Sequence, residues 1–346
     1  MIIFIGLVLL LSLYNCKPLF SKKFYGDYCS IEQTRSINGI CILLILLSHT
    51  FAKVSSNGIL DDMYKPLLIF LGQFVVVPFL FYSGYGVMVS INKKDSYIKE
   101  FPRKRLCKIF FQFSIITILY IILHLILKSH YTVSKYLLSF IGVTSIGNGG
   151  WYILSTFVFY VSLIVCFNIF KKNKIMATIA VTGCLIMLLI VEMYFKFPSY
   201  YYSTTIFFAV GMFYALLKEK FDKFIMKNHI IWGFALIVSL IGFLFLKTQM
   251  DKTVLLYPIW CGFGMLSILL LTMKIKISNK ILIWLGETVF FNFTLQGIPQ
   301  IIFTKYLTNN YLIYILVIVA TLLLTWSAHN LFKFVDKKIS TRGEKK

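Results

Sequence analysis

His49 ends a long apolar run, Ile40-Cys41-Ile42-Leu43-Leu44-Ile45-Leu46-Leu47-Ser48. An imidazole titrates near neutrality and can take the proton of a hydroxyl, so this side chain could serve as a general base or, acylated in passing, as a nucleophile. A histidine deep in hydrocarbon is costly unless a partner or a wet cavity receives it. A bond to a neighbouring helix is therefore an equally open explanation.

The other candidate groups are cations, carboxylates and aromatics. Arg103, Lys104, Arg105 and Lys108 cluster between two apolar runs. Arg forks hold phosphate well, but cations in such places also anchor membrane faces. Glu287 lies about two turns inside an apolar stretch, where it could support a site, whereas Glu192, near the outer end of its run, can snorkel. Trp151 and Tyr152 open another run, either as part of an interfacial belt or to stack on a sugar ring. His124, His130, His229 and His329 are expected at helix ends or in loops, mostly at the membrane interface. No Gly-rich phosphate loop, metal-ligand cluster or Ser-His-Asp order stands out, and no metal is expected. The seven cysteines are scattered without ligand or disulfide spacing and read as packing residues.

The elements that must position these groups follow from composition. Of 346 residues 59% are hydrophobic, 17% aromatic and only 14% charged. No water-soluble fold hides that much apolar surface. The apolar runs predict an all-α, polytopic transmembrane helix bundle of about eleven spans: 2–15, 36–54, 66–91, 106–127, 150–170, 175–195, 202–217, 230–246, 254–273, 281–303 and 311–332. The connections between them are too short for a separate soluble domain.

The net charge of +22 would ordinarily suggest nucleic acid or an anionic surface as partner. Its distribution points to topology instead. Of the 35 lysines and arginines, 27 fall in one set of alternate loops and eight in the other. Because basic loops stay cytoplasmic, the N-terminus is expected outside and the C-terminus inside, with no nucleic acid involved. The first run lacks a basic leader and a cleavage site and is followed by Lys17, Lys22 and Lys23, which suits a retained anchor. The expected organisation is an N-terminal helix and cytoplasmic linker over 1–30, a membrane domain over 31–335 and a basic cytoplasmic tail over 336–346.

Several short segments, in order, resemble the acyltransferase family 3 membrane O-acyltransferases. Arg35-Ser36-Ile37-Asn38-Gly39-Ile40, the apolar run and Ser48-His49-Thr50-Phe51 are similar to the family's opening motif, a basic residue with Gly-Ile, an apolar stretch and His. Val77-Pro78-Phe79-Leu80-Phe81-Tyr82-Ser83-Gly84-Tyr85-Gly86, Arg105-Leu106-Cys107-Lys108 and Gly150-Trp151-Tyr152-Ile153-Leu154 resemble later pieces. So do Leu285-Gly286-Glu287-Thr288 and Leu295-Gln296-Gly297, and together they cover about residues 30 to 335. One position departs: the family's spacing, counted back from His49, lands on Asn38 instead of a cation. Either Arg35, one helical turn earlier, supplies that charge or the charge is lost.

The resemblance implies a ten-helix core, here preceded by one extra helix, in a multi-pass protein of the cell membrane. It implies transfer of an acyl group, most simply acetyl, from cytosolic acyl-CoA (acetyl-CoA) to a hydroxyl of a cell-surface polysaccharide or its lipid-linked precursor. His49, Arg35 and Asn38 would then form the catalytic group. Arg103, Arg105, Lys108, Ser83, Gly84 and Tyr85 would hold the CoA end, and Trp151, Tyr152, Gln296 and Glu287 would face the acceptor. No permanently bound cofactor is implied. A glycan or lipid transporter of similar helix count is the alternative. Such a protein would be expected to carry more intramembrane charge and inverted repeats.

Overall fold

Ser30 starts the helix that carries His49. Its side chain accepts the backbone N–H of Gln33, and Glu32 follows in the first turn, where a negative charge complements the helix dipole. From there an uninterrupted run without proline carries α2 over Ile31–Phe51. The computed structural model describes residues 3–343 except 22, 55–58, 95, 172, 250–252 and 254. Lys22, Lys172, Lys252, Lys345 and Lys346, all part of the loop charge, lie outside the described residues.

Before α2 come α1 (Ile3–Leu13) and strand β1 (Cys16–Pro18). After it come α3 (Ile59–Leu71), a tight turn over Gly72–Val76, α4 (Val77–Lys93), α5 (Tyr97–Phe101), α6 (Cys107–Ile126), α7 (Val133–Ser139) and α8 (Gly150–Ile169). The chain continues through α9 (Lys174–Tyr194), α10 (Phe207–Ile225), α11 (His229–Lys247), α12 (Leu256–Thr272), strand β2 (Ile275–Ile277), α13 (Lys280–Glu287), α14 (Val289–Leu295), α15 (Gly297–Tyr306) and α16 (Asn310–Gly343). The protein is an almost wholly helical bundle. Among the described residues β1 and β2 pair antiparallel, Lys17 opposite Lys276, and tie the linker before α2 to the segment before α13.

A helix lies at each expected run, but not all are spans of equal quality. Among the described residues seven helices are long and apolar enough to cross a membrane, or eight if α13 and α14–α15, bent by 66°, count as one. The runs expected over 2–15 and 254–273 form α1 and α12, of 11 and 17 residues. The run over 202–217 forms α10, whose second half carries Lys218, Glu219, Lys220, Asp222 and Lys223. The short α7 and the glycine-rich loop after it were not expected. Neither was the bend after Glu287, which therefore ends α13 and does not lie inside a continuous helix.

Two glycine contacts bring the working helices together. A Cβ on Gly39 would fall onto the Leu282 carbonyl, and one on Gly286 onto the Arg35 carbonyl, so α2 and α13 meet backbone to backbone. Small residues allow this approach, which membrane bundles use where lipid supplies no hydrophobic drive between helices. Gly84 and Gly211 act the same way between α4 and α10, against the carbonyls of Phe208 and Phe81. Thus Gly84 faces α10, and Tyr85 packs its ring at 6.1 Å from Tyr214 on the same side.

Candidate active site

His49 opens on a cavity of about 530 Å³ lined by Gln73, Trp151, Tyr200, Phe293, Gln296 and Gln300, among others. Although it lies well inside the bundle, the imidazole is exposed to this space. The Gln296 carboxamide sits beside the ring. Its Nε2 donates to the Phe293 carbonyl at 3.1 Å, while its buried Oε1 has no partner among the described residues. That oxygen can accept an imidazole N–H and so fix which ring nitrogen is left as a base. Gln300 Nε2, buried in the same wall, also has no partner among the described residues.

Each wall of the cavity has a local cause. The turn at Gly72–Val76 breaks the path between α3 and α4, and Gln73 locks it by donating to the Tyr200 carbonyl at 3.1 Å and accepting from Ser203 at 2.7 Å. On the other side Asn148 holds the glycine-rich loop to α6. It is fully buried, donates to Thr117 Oγ1 at 3.0 Å and accepts from Ile146 N at 3.4 Å. Gly149, at φ +69°, begins α8 in a conformation that side chains disfavour, so that Trp151 points into the cavity.

Arg35 and Asn38 open on a second cavity, about 370 Å³, with Ser83, Arg105 and Tyr152 in its lining. The buried Asn38 Oδ1 has no partner among the described residues. Arg35 also reaches a neighbouring space of about 670 Å³, which it shares with Lys104, Arg105, Lys108 and Glu287, and lies 3.6 Å from the Glu287 carboxylate. A further space, of about 850 Å³, adds Arg103. Lys104 pairs with Glu100 at 2.7 Å and Lys108 with Asp336. Arg105 is exposed and forms no ion pair among the described residues.

The two cavities share four stretches of chain. On α2, Arg35 and Asn38 face one and Ser48 and His49 the other. On α13–α15 the order is Gly286, Val289 and Phe290, then Phe293, Gln296 and Gln300. The stretch from Gly72 to Ser83 and helix α8 run the opposite way: Val76 faces His49 and Phe79 faces Asn38, while Trp151 and Tyr152 divide at adjacent positions. The cavities therefore lie end to end along one axis. Three residues of helix rise about 4.5 Å, so a single turn separates them at Val76/Phe79 and at Phe290/Phe293.

With this arrangement in place, the family comparison is decisive: the model described as an acyltransferase domain matches residues 36–329. The chain belongs to acyltransferase family 3. No curated protein and no solved structure matches it. Membership implies membrane acyltransferase activity, and the apolar helices make this acyltransferase a multi-pass membrane protein.

Of the residues singled out in the sequence of this family 3 acyltransferase, His49, Trp151 and Gln296 meet in one cavity. Arg35, Asn38, Ser83, Arg105 and Tyr152 meet in the other, and Lys108, Glu287 and Arg103 lie in the cationic spaces adjoining it. Gly84 and Tyr85 belong instead to the α4–α10 contact. Three other expectations are corrected. Glu192 does not snorkel: it is 2% exposed and neither carboxylate oxygen has a partner among the described residues. His124 lies in the last turn of α6, as expected, but is buried and not interfacial, with Nε2 at 2.8 Å from the Ile146 carbonyl oxygen. His329 lies mid-helix in α16 and lines the cationic space. Sequence reasoning missed Gln73, Phe293 and Gln300. The only available signal was the i, i+3, i+4 spacing of Phe293 from Phe290, Gln296 and Val289, which any helix stripe shows.

Proposed function

We propose that this acyltransferase moves an acetyl group from acetyl-CoA to a hydroxyl of a cell-surface polysaccharide or of its lipid-linked precursor. The observation that supports this most is the end-to-end pair of cavities, His49 in one and a cluster of cations around the mouth of the other. A donor with phosphates and an acceptor that offers a hydroxyl would approach such a site from opposite ends.

The charge split orients the site. With the basic loops cytoplasmic, the chain crosses the cell membrane eleven times, N-terminus outside and C-terminus inside. Arg35, Arg103, Arg105 and Lys108 then face the cytosol, where CoA thioesters are made, and offer charge-assisted bonds to the CoA phosphates. The thioester arm lies along Asn38 and Tyr152 towards His49. The acceptor enters from the outer end, between Trp151, Gln296 and Gln300.

His49 takes the proton of the acceptor hydroxyl as its oxygen attacks the thioester carbonyl carbon. The C–O bond forms and the carbonyl electrons move to oxygen. The tetrahedral adduct then collapses with cleavage of the C–S bond, and the CoA thiolate leaves with the proton held by the imidazolium. Gln296 Oε1 steadies the imidazole through both halves of the reaction. NMR of the surface glycan tests the proposal. O-acetyl signals are expected with the intact gene and absent both without it and with His49→Ala at matched protein level. Identical glycans in all three would overturn it.

A further inference from the structure

Between the two cavities stands one aromatic side chain. Phe293 is 4% exposed and its ring centroid lies 5.3 Å from Tyr152, 5.9 Å from Trp151 and 6.2 Å from His49. Tyr152 faces the Asn38 cavity, whereas Trp151 and His49 face the other, so the ring touches residues of both. It also packs on the backbone of Gly149. A Cβ on Gly149 would stand 2.7 Å from the Phe293 ring, so the ring lies where only a glycine lets it lie.

We propose that Phe293 is the residue that determines acyl-chain length, the wall that limits which thioesters can present their carbonyl to His49. The inference rests on the acyl-transfer reading above. A thioester arriving from the Arg35 end carries its acyl chain ahead of the carbonyl, and that chain must lodge at the partition before the acceptor oxygen can attack. A methyl needs little room there. A longer chain meets the Phe293 ring, held between Tyr152, Trp151 and Gly149. The carbonyl is then stopped short of the acceptor, and neither C–O bond formation nor C–S cleavage follows. Side chains in a packed interior give little ground, so removing a phenyl leaves space that an alkyl chain can occupy.

The test uses membrane vesicles containing the full chain, supplied in turn with acetyl-, butyryl- and hexanoyl-CoA. Esters released by mild base from the glycan and lipid fractions are measured together with free CoA thiol. The wild-type protein is expected to transfer acetyl far better than hexanoyl, and Phe293→Ala to raise the hexanoyl-to-acetyl transfer ratio tenfold or more. Phe293→Leu should give a smaller rise and Phe293→Trp a fall in butyryl transfer; if Phe293→Ala does not accumulate, Phe293→Leu decides by the same ratio. Two results overturn the inference while acetyl transfer persists: an unchanged chain-length profile, or added CoA release without longer acyl esters, which would make the ring a water barrier only. If wild-type and His49→Ala vesicles transfer nothing from any thioester, the acyl-transfer reading fails, and this inference with it.

Discussion

The guanidinium of Arg35 lies 3.6 Å from the carboxylate of Glu287, and the contact joins two helices that touch through bare backbone. Gly286 makes it possible, because any side chain there would collide with the Arg35 carbonyl. Both charged groups are 40% exposed, so the pair is a wet one and its value lies in aim more than in stability. Arg35 is held at the cavity that also holds Asn38, where the family places its cation.

Arg35→Ala is therefore expected to lower acyl transfer nearly as far as His49→Ala, and Asn38→Arg added to it to restore part of the loss. O-acylation of the surface glycan, with protein amounts matched, measures this. An active Arg35→Ala enzyme would show that Arg35 is a loop charge and that Asn38 works without a cation.

His49→Ala should reduce kcat by about 10²–10⁴-fold or more, the usual contribution of a general base, while the protein still inserts. Gln296→Ala should act more mildly, lowering kcat and leaving the donor KM alone, because Gln296 steadies the imidazole and does not meet CoA. Transfer assays with varied acetyl-CoA separate the two constants. A raised donor KM in Gln296→Ala would refute its positioning role.

Arg105→Ala should weaken the apparent affinity for acyl-CoA by about 1.5–3 kcal/mol, the range for a hydrogen bond to a charged group. Lys108→Ala should cost less, since Lys108 is already paired with Asp336. Donor titration of purified protein checks the order. Equal and negligible effects would reduce both residues to topology signals.

Reporter fusions at Asn92 and Lys346 should both report the cytoplasm. Activity of an external reporter at either position would invert or break the assigned topology, and with it the cytosolic entry of the donor.

Much of the bundle was legible in the chain because a bilayer imposes a one-dimensional constraint: about 20 apolar residues per crossing and cations between them. The runs around His49, Trp151 and Cys107 therefore announced their helices. Composition could not show the bend after Glu287 or the end of α12 after 17 residues, since these depend on where hydrogen bonding stops within an apolar stretch. The candidate site divided in the same way. His49, Arg35 and Gln296 stand out by residue type, and their order along the chain carries the family resemblance. Only the tertiary structure brings Trp151 and Tyr152, adjacent in sequence, to opposite cavities, places the unremarkable Phe293 between them, and turns Gly84 and Tyr85 away towards α10. Pairing a carbonyl on one helix with a glycine on another is a property of two surfaces, and neither segment read alone contains it.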